Sequence, residues 1–154
     1  MTAYVAVRVR GHIGVRREIA QTLEHLRLHK TNHAAIVPKN DSYEGMLVRA
    51  RDWIAYGELD EETLATVLRT RAKVEGDKPL TDEYVAQHSK FPGIAEFARA
   101  LSAGEASLKD VAGLKPVIRL NPPRKGYGGN KRHYPMGALG NWGPEINDLV
   151  RRMV

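Results

Sequence analysis

The sequence of 154 residues contains no cysteine. This absence excludes disulfide scaffolds, thiolate metal sites and thiol nucleophiles, and it favours a reducing compartment. No stretch approaches the ~20 consecutive apolar residues of a membrane-spanning helix. Arginine follows the N-terminus too early for the apolar region of a signal peptide. We therefore expect a soluble, cytoplasmic protein.

Acidic residues are missing from one long stretch, because the 34 residues from 111 to 144 include no Asp or Glu. The formal net charge is +6, and it is distributed unevenly. Residues 1–51 carry +5, residues 52–114 carry −5 and residues 115–154 carry +6. Two basic segments therefore flank an acidic one, in a chain whose length suits one domain or one small domain with attachments.

The first part of the chain has the hydrophobic periods of a small α+β unit. Residues 4–10 alternate valine with alanine and arginine, which predicts a strand with one buried face. Apolar residues at helical spacing predict helices over 15–26 and 43–52, the second with Asp41 or Ser42 as its cap. Short apolar runs predict strands at 34–37 and 53–56. The order β-α-β-α-β predicts a ferredoxin-like half unit, in which both helices cover one face of a small sheet and leave the other face free.

The rest of the chain divides by composition. After a β-α-β-α-β core at 1–58, residues 59–114 are predicted to form an acidic helical extension, with Asp60 and Thr81 among the helix caps. Residues 115–143 are predicted to form a basic, Gly/Pro-rich extended loop, which becomes ordered on binding its partner. Residues 144–154 are predicted to form a C-terminal docking helix, because their apolar positions recur at helical spacing.

No residue pattern indicates catalysis or a cofactor. His25, His29 and His33 are four residues apart, but no carboxylate is placed to complete a metal site with them. The glycine-rich run at 126–130 lacks the Lys-Ser/Thr of a phosphate-binding loop, and no serine has the flanking glycines of a nucleophile elbow. We therefore predict no enzyme activity, no metal and no cofactor.

The acid-free stretch is typical of nucleic-acid binding. A segment without carboxylates approaches a polyanion without local repulsion, and each cation that contacts a phosphate releases counterions. Aromatic side chains between the cations can stack on unpaired bases. Arg8 and Arg10 are expected to project from one face of the first strand, opposite its valines. The candidate RNA-binding residues are Arg8, Arg10, Arg16, Arg17, Lys30, His33, Lys39, Arg49, Arg51, Arg119, Arg124, Lys125, Tyr127, Lys131, Arg132, His133 and Tyr134.

Several short runs, in this order and spacing, carry a resemblance that covers nearly the whole chain. They are Gly11-His12-Ile13-Gly14-Val15, Tyr43-Glu44-Gly45-Met46-Leu47, Tyr56-Gly57-Glu58-Leu59, Leu120-Asn121-Pro122-Pro123-Arg124-Lys125-Gly126-Tyr127, Lys131-Arg132 and Gly137-Ala138-Leu139-Gly140. With them the chain resembles the large-subunit ribosomal protein L-thirty family, called L-seven in eukaryotes, in its longer archaeal form.

The resemblance implies a structural constituent of the large ribosomal subunit. Such a protein binds large-subunit rRNA near the 5S rRNA, stabilises the packing of RNA domains in translation and subunit assembly, and has neighbouring ribosomal proteins as partners. It implies no membrane and no small-molecule substrate. Two alternatives stay open from the residues alone: an adaptor that binds proteins through its acidic helices, and a small enzyme on a ferredoxin-like half-fold.

Overall fold

The computed structural model describes residues 3–154 and builds them around a five-stranded sheet. The strands are β1 (Ala3–Arg8), β2 (His33–Pro38), β3 (Ile54–Leu59), β4 (Val117–Arg119) and β5 (Gly140–Asn141). Their order across the sheet is β4-β2-β1-β3-β5. β1 runs antiparallel to both of its neighbours and β4 runs antiparallel to β2, whereas β5 runs parallel to β3. The predicted α+β class and β-α-β-α-β order are confirmed.

Helices connect and cover the strands. They are α1 (Arg17–His25), α2 (Asp41–Arg49), α3 (Glu61–Arg71), α4 (Asp82–His88), α5 (Ile94–Ala103) and α6 (Ile146–Met153). Short 3-10 turns occur at Glu75–Asp77, Leu108–Asp110 and Gly143–Glu145. Within residues 3–154, no helix combines the length and the apolar character needed to cross a lipid bilayer.

Side-chain caps fix where several helices begin. As predicted, Asp60 and Thr81 cap α3 and α4, and each side chain accepts a hydrogen bond from the amide three residues on, at 2.7 and 3.2 Å. The start of α2 differs from the prediction, which placed the cap at Asp41 or Ser42. Asn40 is the cap instead, and its side-chain oxygen accepts the amide three residues on at 2.9 Å. An amide side chain serves this role as well as a carboxylate or hydroxyl.

The two helices of the β-α-β-α-β unit lie on one face of the sheet. Ala6, Ala35 and Ile54 point to this face and pack against Leu23 of α1 and Leu47 of α2. All five side chains are nearly inaccessible to solvent. The face of the sheet opposite the valines of β1 therefore forms a second hydrophobic core and is not exposed to solvent.

The opposite face of the sheet is covered, whereas the sequence predicted that the β-α-β-α-β unit leaves it free. Val5 and Val7 pack there in a larger apolar cluster with Leu68 of α3, Phe97 of α5 and Leu149 of α6. A row of valines is an apolar surface that must be removed from water, and the later helices supply the cover. The acidic helical segment is therefore part of the structural core on its inner side.

Close contact with β3 holds the C-terminal helix in place. A Cβ atom added at Gly57 would lie 2.2 Å from the carbonyl oxygen of Gly143 and 2.8 Å from Cβ of Ile146. The side-chain amide of Asn147 donates a hydrogen bond to the carbonyl oxygen of Glu58 at 3.0 Å. Only a residue without a side chain permits this approach. The backbone of β3 at Gly57 therefore packs directly against the 3-10 turn and the first residue of α6.

Candidate nucleic-acid interface

One end of the sheet collects most of the predicted basic residues. β1 ends there while β2 and β3 begin, because the register places Val7 opposite Ala34 and Arg8 opposite Ile54. β4 brings Arg119 to the same end, because it pairs Arg119 with His33. We call this end of the molecule, with the loops that leave it, the basic end. Its exposed or partly exposed cations from the body are Arg10, Arg16, Arg17, Lys30 and Arg119.

Residues 121–139, which we call the arm, connect β4 to β5 across the basic end. The amide of Arg124 donates to the carbonyl oxygen of Arg152 at 3.0 Å, and the Arg152 guanidinium donates to the carbonyl oxygens of Arg124 and Gly126. The hydroxyl of Tyr127 donates to the side-chain oxygen of Asn32. The sequence predicted an arm that becomes ordered on binding, whereas these contacts fix its first half to the folded body.

The second half of the arm closes a basic cleft. The cleft has a volume of about 380 Å³, and its lining includes Arg10 and Arg16 from the body and Lys131 and His133 from the arm. The guanidinium carbon of Arg10 lies 4.2 Å from the ring centroid of Trp53, a cation–π contact that holds this arginine at the wall. Basic side chains from two separate segments therefore face one concave space, which favours a phosphate group.

Asp52 contributes a carboxylate to the lining of this cleft. Its Oδ1 lies 2.7 Å from Nε2 of His133, within hydrogen-bonding distance. The backbone oxygen of Asp52 accepts a hydrogen bond from the Arg10 guanidinium at 3.3 Å. The residue therefore ties the arm to the body, through its carboxylate to His133 and through its backbone oxygen to Arg10.

Arg8 does not belong to this surface, although the sequence predicted that it projects outward. The residue is 3% exposed. Its guanidinium donates to the carbonyl oxygens of Leu28 at 2.6 Å, Arg10 at 2.8 Å and Gly11 at 3.1 Å. Burial lowers the pKa of Arg8 from its ordinary value. Arg8 therefore acts as an internal brace for the loops of the basic end, because it satisfies three carbonyl groups at once.

The predicted common face of Arg8 and Arg10 fails because the strand register breaks between them. The amides of Val9 and Arg10 both donate to the carbonyl oxygen of Trp53, at 3.0 and 3.2 Å. This arrangement is a β-bulge, in which two residues of one strand lie opposite one residue of the neighbouring strand. The extra residue changes the side of the sheet to which the next side chain points. Arg10 is therefore turned onto the Trp53 ring, while Arg8 stays inside.

Replacing Arg8 with methionine is expected to lower the free energy of unfolding by about 3 kcal/mol, because one buried and two partly buried carbonyl groups lose their donor. The matched control is Arg17→Met, since Arg17 is exposed and makes no side-chain hydrogen bond with residues 3–154. We expect that variant to stay within about 0.5 kcal/mol of the parent. Urea unfolding of both proteins measures the difference, and equal stability of the two variants would show that Arg8 is not a brace.

Two other predicted residues contribute no free cation to the basic end. His33 is half-buried in β2, and burial together with the neighbouring Arg119 cation lowers the pKa of its imidazole, which favours the neutral form. Lys39 lies at the opposite end of the sheet, where Pro38 pairs with Ala3. Its ammonium forms an ion pair with Glu58 at 2.8 Å, and this hydrogen bond raises the pKa of Lys39.

The aromatic side chains of the arm serve mainly to hold its path. Burial raises the pKa of the Tyr127 hydroxyl, which bonds to the body. The ring of Tyr134 stacks on Trp142 with centroids 4.4 Å apart, and the indole N–H of Trp142 donates to the carbonyl oxygen of Ala138 at 2.8 Å. One face of each of these two rings therefore stacks on the other ring, and only the other face is left for the predicted stacking on RNA bases.

The other predicted cations remain available to a partner. They are exposed, and none of them forms an ion pair with a carboxylate in the part of the chain that the structure describes: Arg16, Arg17, Lys30, Arg49, Arg51, Arg119, Arg124, Lys125, Lys131 and Arg132. Three residues that position the arm were not among the predicted site residues: Asn32, Asp52 and Arg152. No local pattern marks them, since each acts on residues more than 25 positions away.

The spaced histidines do not form a metal site. α1 ends at His25, His29 follows in the connecting turn and His33 lies in β2, so the three do not share one helix face. Among residues 3–154, no group of three His, Cys, Asp or Glu side chains is placed to hold a metal ion.

Comparison with known proteins agrees with the resemblance noted in the sequence. The family model described as ribosomal protein L30p/L7e matches residues 4–54. A protein of Methanocorpusculum labreanum named large ribosomal subunit protein uL30 is 52% identical over 151 residues, which cover 97% of this chain and 99% of that protein. A protein of Archaeoglobus fulgidus with the same name is 50% identical over 150 residues, with the same coverage. The chain belongs to the ribosomal protein L30p/L7e family.

Proposed function

We propose that this chain binds large-subunit rRNA through its basic end, as a structural constituent of the large ribosomal subunit. The relatives are named as proteins of that subunit, and each covers nearly the whole chain. The family is a structural one without enzymatic activity. The protein therefore acts in the cytoplasmic ribosome, with rRNA and other ribosomal proteins as its partners.

One observation carries the proposed site: separate segments bring their cations to a single end of the sheet. Arg10 and Arg16 from the β1–α1 connection meet Lys131 and His133 of the arm at one cleft. Arg119 lies at the same end through its pairing with β2. Cations from several segments offer a fixed array to a phosphate backbone, and an array with so few carboxylates keeps its positive potential.

The exposed or partly exposed cations that we propose as rRNA contacts fall into two groups. The first lies at the cleft, whose lining includes Arg10, Arg16 and Lys131, with His133 paired to Asp52. Arg17 and Arg132, next in sequence to two of these cations, extend it. The second lies where the arm leaves β4 and includes Arg119, Arg124 and Lys125, with Lys30 in the turn before β2. Arg49 and Arg51 flank the first group on the α2–β3 connection.

The salt dependence of binding tests the proposal. We expect the full chain to bind large-subunit rRNA with an affinity that falls steeply as salt rises, with a slope of about −4 for roughly six phosphate contacts to RNA. An unrelated RNA of equal length is the control, and it should bind more weakly at every salt concentration. A slope near zero, or equal affinity for both RNAs, would contradict specific binding through this surface.

We further propose that the contact lies near the 5S rRNA. The resemblance implies this location, and the two groups of cations are suited to bridging two RNA segments. Large subunits reconstituted with 5S rRNA that carries 4-thiouridine provide the test. We expect ultraviolet light to cross-link the 5S rRNA to a peptide from the arm or from residues 10–17. If this chain forms no cross-link, the 5S location is wrong, while binding to large-subunit rRNA is judged separately by its salt dependence.

A further inference from the structure

A second concave surface lies away from the basic end, and we call it the edge groove. It has a volume of about 460 Å³. Its walls are the last part of β2, the end of α1 with the residues after it, and the segment that runs from α5 towards β4. The lining includes Ile36 of β2, Leu26 beyond α1, and Leu101, Leu108 and Leu114 of the acidic helical segment.

One wall of the edge groove is a strand edge that the sheet leaves open. β4 pairs only with residues 33–35 of β2. Beyond that point, residues 36–38 have β1 on one side, and no strand of the described chain pairs with them on the other. An extended segment from another protein can lie beside such an edge, because strand edges carry unpaired peptide groups. Pro38 has no N–H to donate, so pairing there rests on Ile36 and Val37.

The chemistry of the edge groove favours an acidic protein segment. Its floor is mainly aliphatic, with Leu26, Ile36 and Leu101 nearly inaccessible to solvent from outside. The ionisable side chains in its lining are His25, Arg27, Tyr43 and Lys109, and no carboxylate is among the lining residues. An aliphatic floor suits apolar side chains and gives a phosphate backbone no hydrogen-bond partners, whereas a basic rim attracts acidic residues.

The edge groove and the basic end lie at opposite corners of the sheet. The groove borders the end where Ala3 pairs with Pro38, and the basic end lies where β1 finishes at Arg8. The groove lies on the β4 side, while the basic cleft lies near Leu139 on the β5 side. A protein held on RNA through the basic end therefore keeps the groove open to another partner.

We propose that the edge groove docks an extended segment of a neighbouring ribosomal protein, in which apolar residues alternate with acidic ones. The apolar residues occupy the aliphatic floor, and the acidic residues meet Arg27 and Lys109. The segment lies beside residues 36–38 of β2. This inference goes beyond the proposed RNA contact, because it assigns the acidic helical segment a role in binding protein through the groove that it helps to form.

Site-specific cross-linking in assembled large subunits tests the docking. The photoreactive residue p-benzoylphenylalanine is placed at position 108, where the leucine is half-exposed in the groove lining. We expect a cross-link to one peptide of a ribosomal protein, and this peptide should have net negative charge and alternate apolar with acidic residues. In the same background Lys109→Glu should lower the yield about fivefold, and Lys109→Arg should leave it unchanged, because the rim charge is reversed only in the first variant.

The outcomes separate this inference from the proposed function. A chain that does not sediment with large subunits contradicts the proposed function. If the chain sediments but position 108 gives no cross-link, a cross-link to rRNA, or one to a basic peptide, the docking proposal is overturned and RNA binding stands. Equal yields from Lys109→Glu and Lys109→Arg would likewise overturn it, because the partner segment would not be selected by charge.

Discussion

Replacing Arg124, Lys125, Lys131 and Arg132 with glutamine is expected to lower the affinity for large-subunit rRNA about 100-fold at near-physiological salt. Each of these side chains is exposed on the arm, and none forms an ion pair within residues 3–154. With four phosphate contacts removed, binding releases fewer counterions from the RNA. The slope of log affinity against log salt concentration should therefore flatten by about 3. Filter binding over a range of salt concentrations measures both quantities.

A second variant with the same change of charge is the control. Arg69, Lys73, Lys78 and Lys90 are exposed and belong to the acidic helical segment. Their replacement with glutamine lowers the net charge by the same amount, but on the acidic helical segment and not on the arm. We expect this variant to keep its salt slope and to lose little affinity. If both variants weakened binding equally, overall charge and not the basic end would determine RNA binding.

Replacing Gly57 with alanine is expected to lower the free energy of unfolding by about 3 kcal/mol, with a fall in the melting temperature of about 10 °C. The added Cβ would lie 2.2 Å from the backbone oxygen of Gly143, and backbone does not move aside as a flexible side chain does. The 3-10 turn and α6 must therefore shift away from β3. Calorimetry measures the melting temperature of the purified variant.

Gly45→Ala is the matched control for this change. Gly45 lies in α2, and a Cβ added there would have no atom within 4 Å. Alanine favours the helix over glycine by about 0.5–1 kcal/mol, so this variant should be slightly more stable than the parent. A similar loss of stability in both variants would mean that the approach of β3 to α6 is not what makes Gly57 necessary.

The sequence predicted the secondary structure of residues 3–59 well, because hydrophobic periods are local signals. It did not predict which elements cover Val5 and Val7. The choice of cover depends on contacts between β1 and helices that begin more than 50 residues later, and hydrophobic spacing within one helix does not show which partner it packs against. The sequence also did not predict that the face of Ala6 is buried, because alanine gives only a weak signal of burial.

The sequence predicted the candidate site as a set of cations, but it did not predict how they are arranged. Arg8 and Arg10 look equivalent in a pattern of period two, but both amides after Arg8 share one carbonyl oxygen of Trp53. That break separates an internal arginine from an exposed one. The composition of the arm predicted an extended segment, yet its anchors are pairwise contacts such as Tyr127 with Asn32, which a local pattern does not contain.

Directed cleavage of rRNA tests the central claim that the basic end faces RNA. Because the sequence has no cysteine, Met136→Cys or Ala86→Cys creates a unique attachment point for an iron chelate that generates hydroxyl radicals. Met136 is 77% exposed on the arm, and Ala86 is exposed on α4. In assembled subunits, we expect strong cleavage of large-subunit rRNA from position 136 and much weaker cleavage from position 86. Equal cleavage from both positions, or stronger cleavage from position 86, would contradict the account.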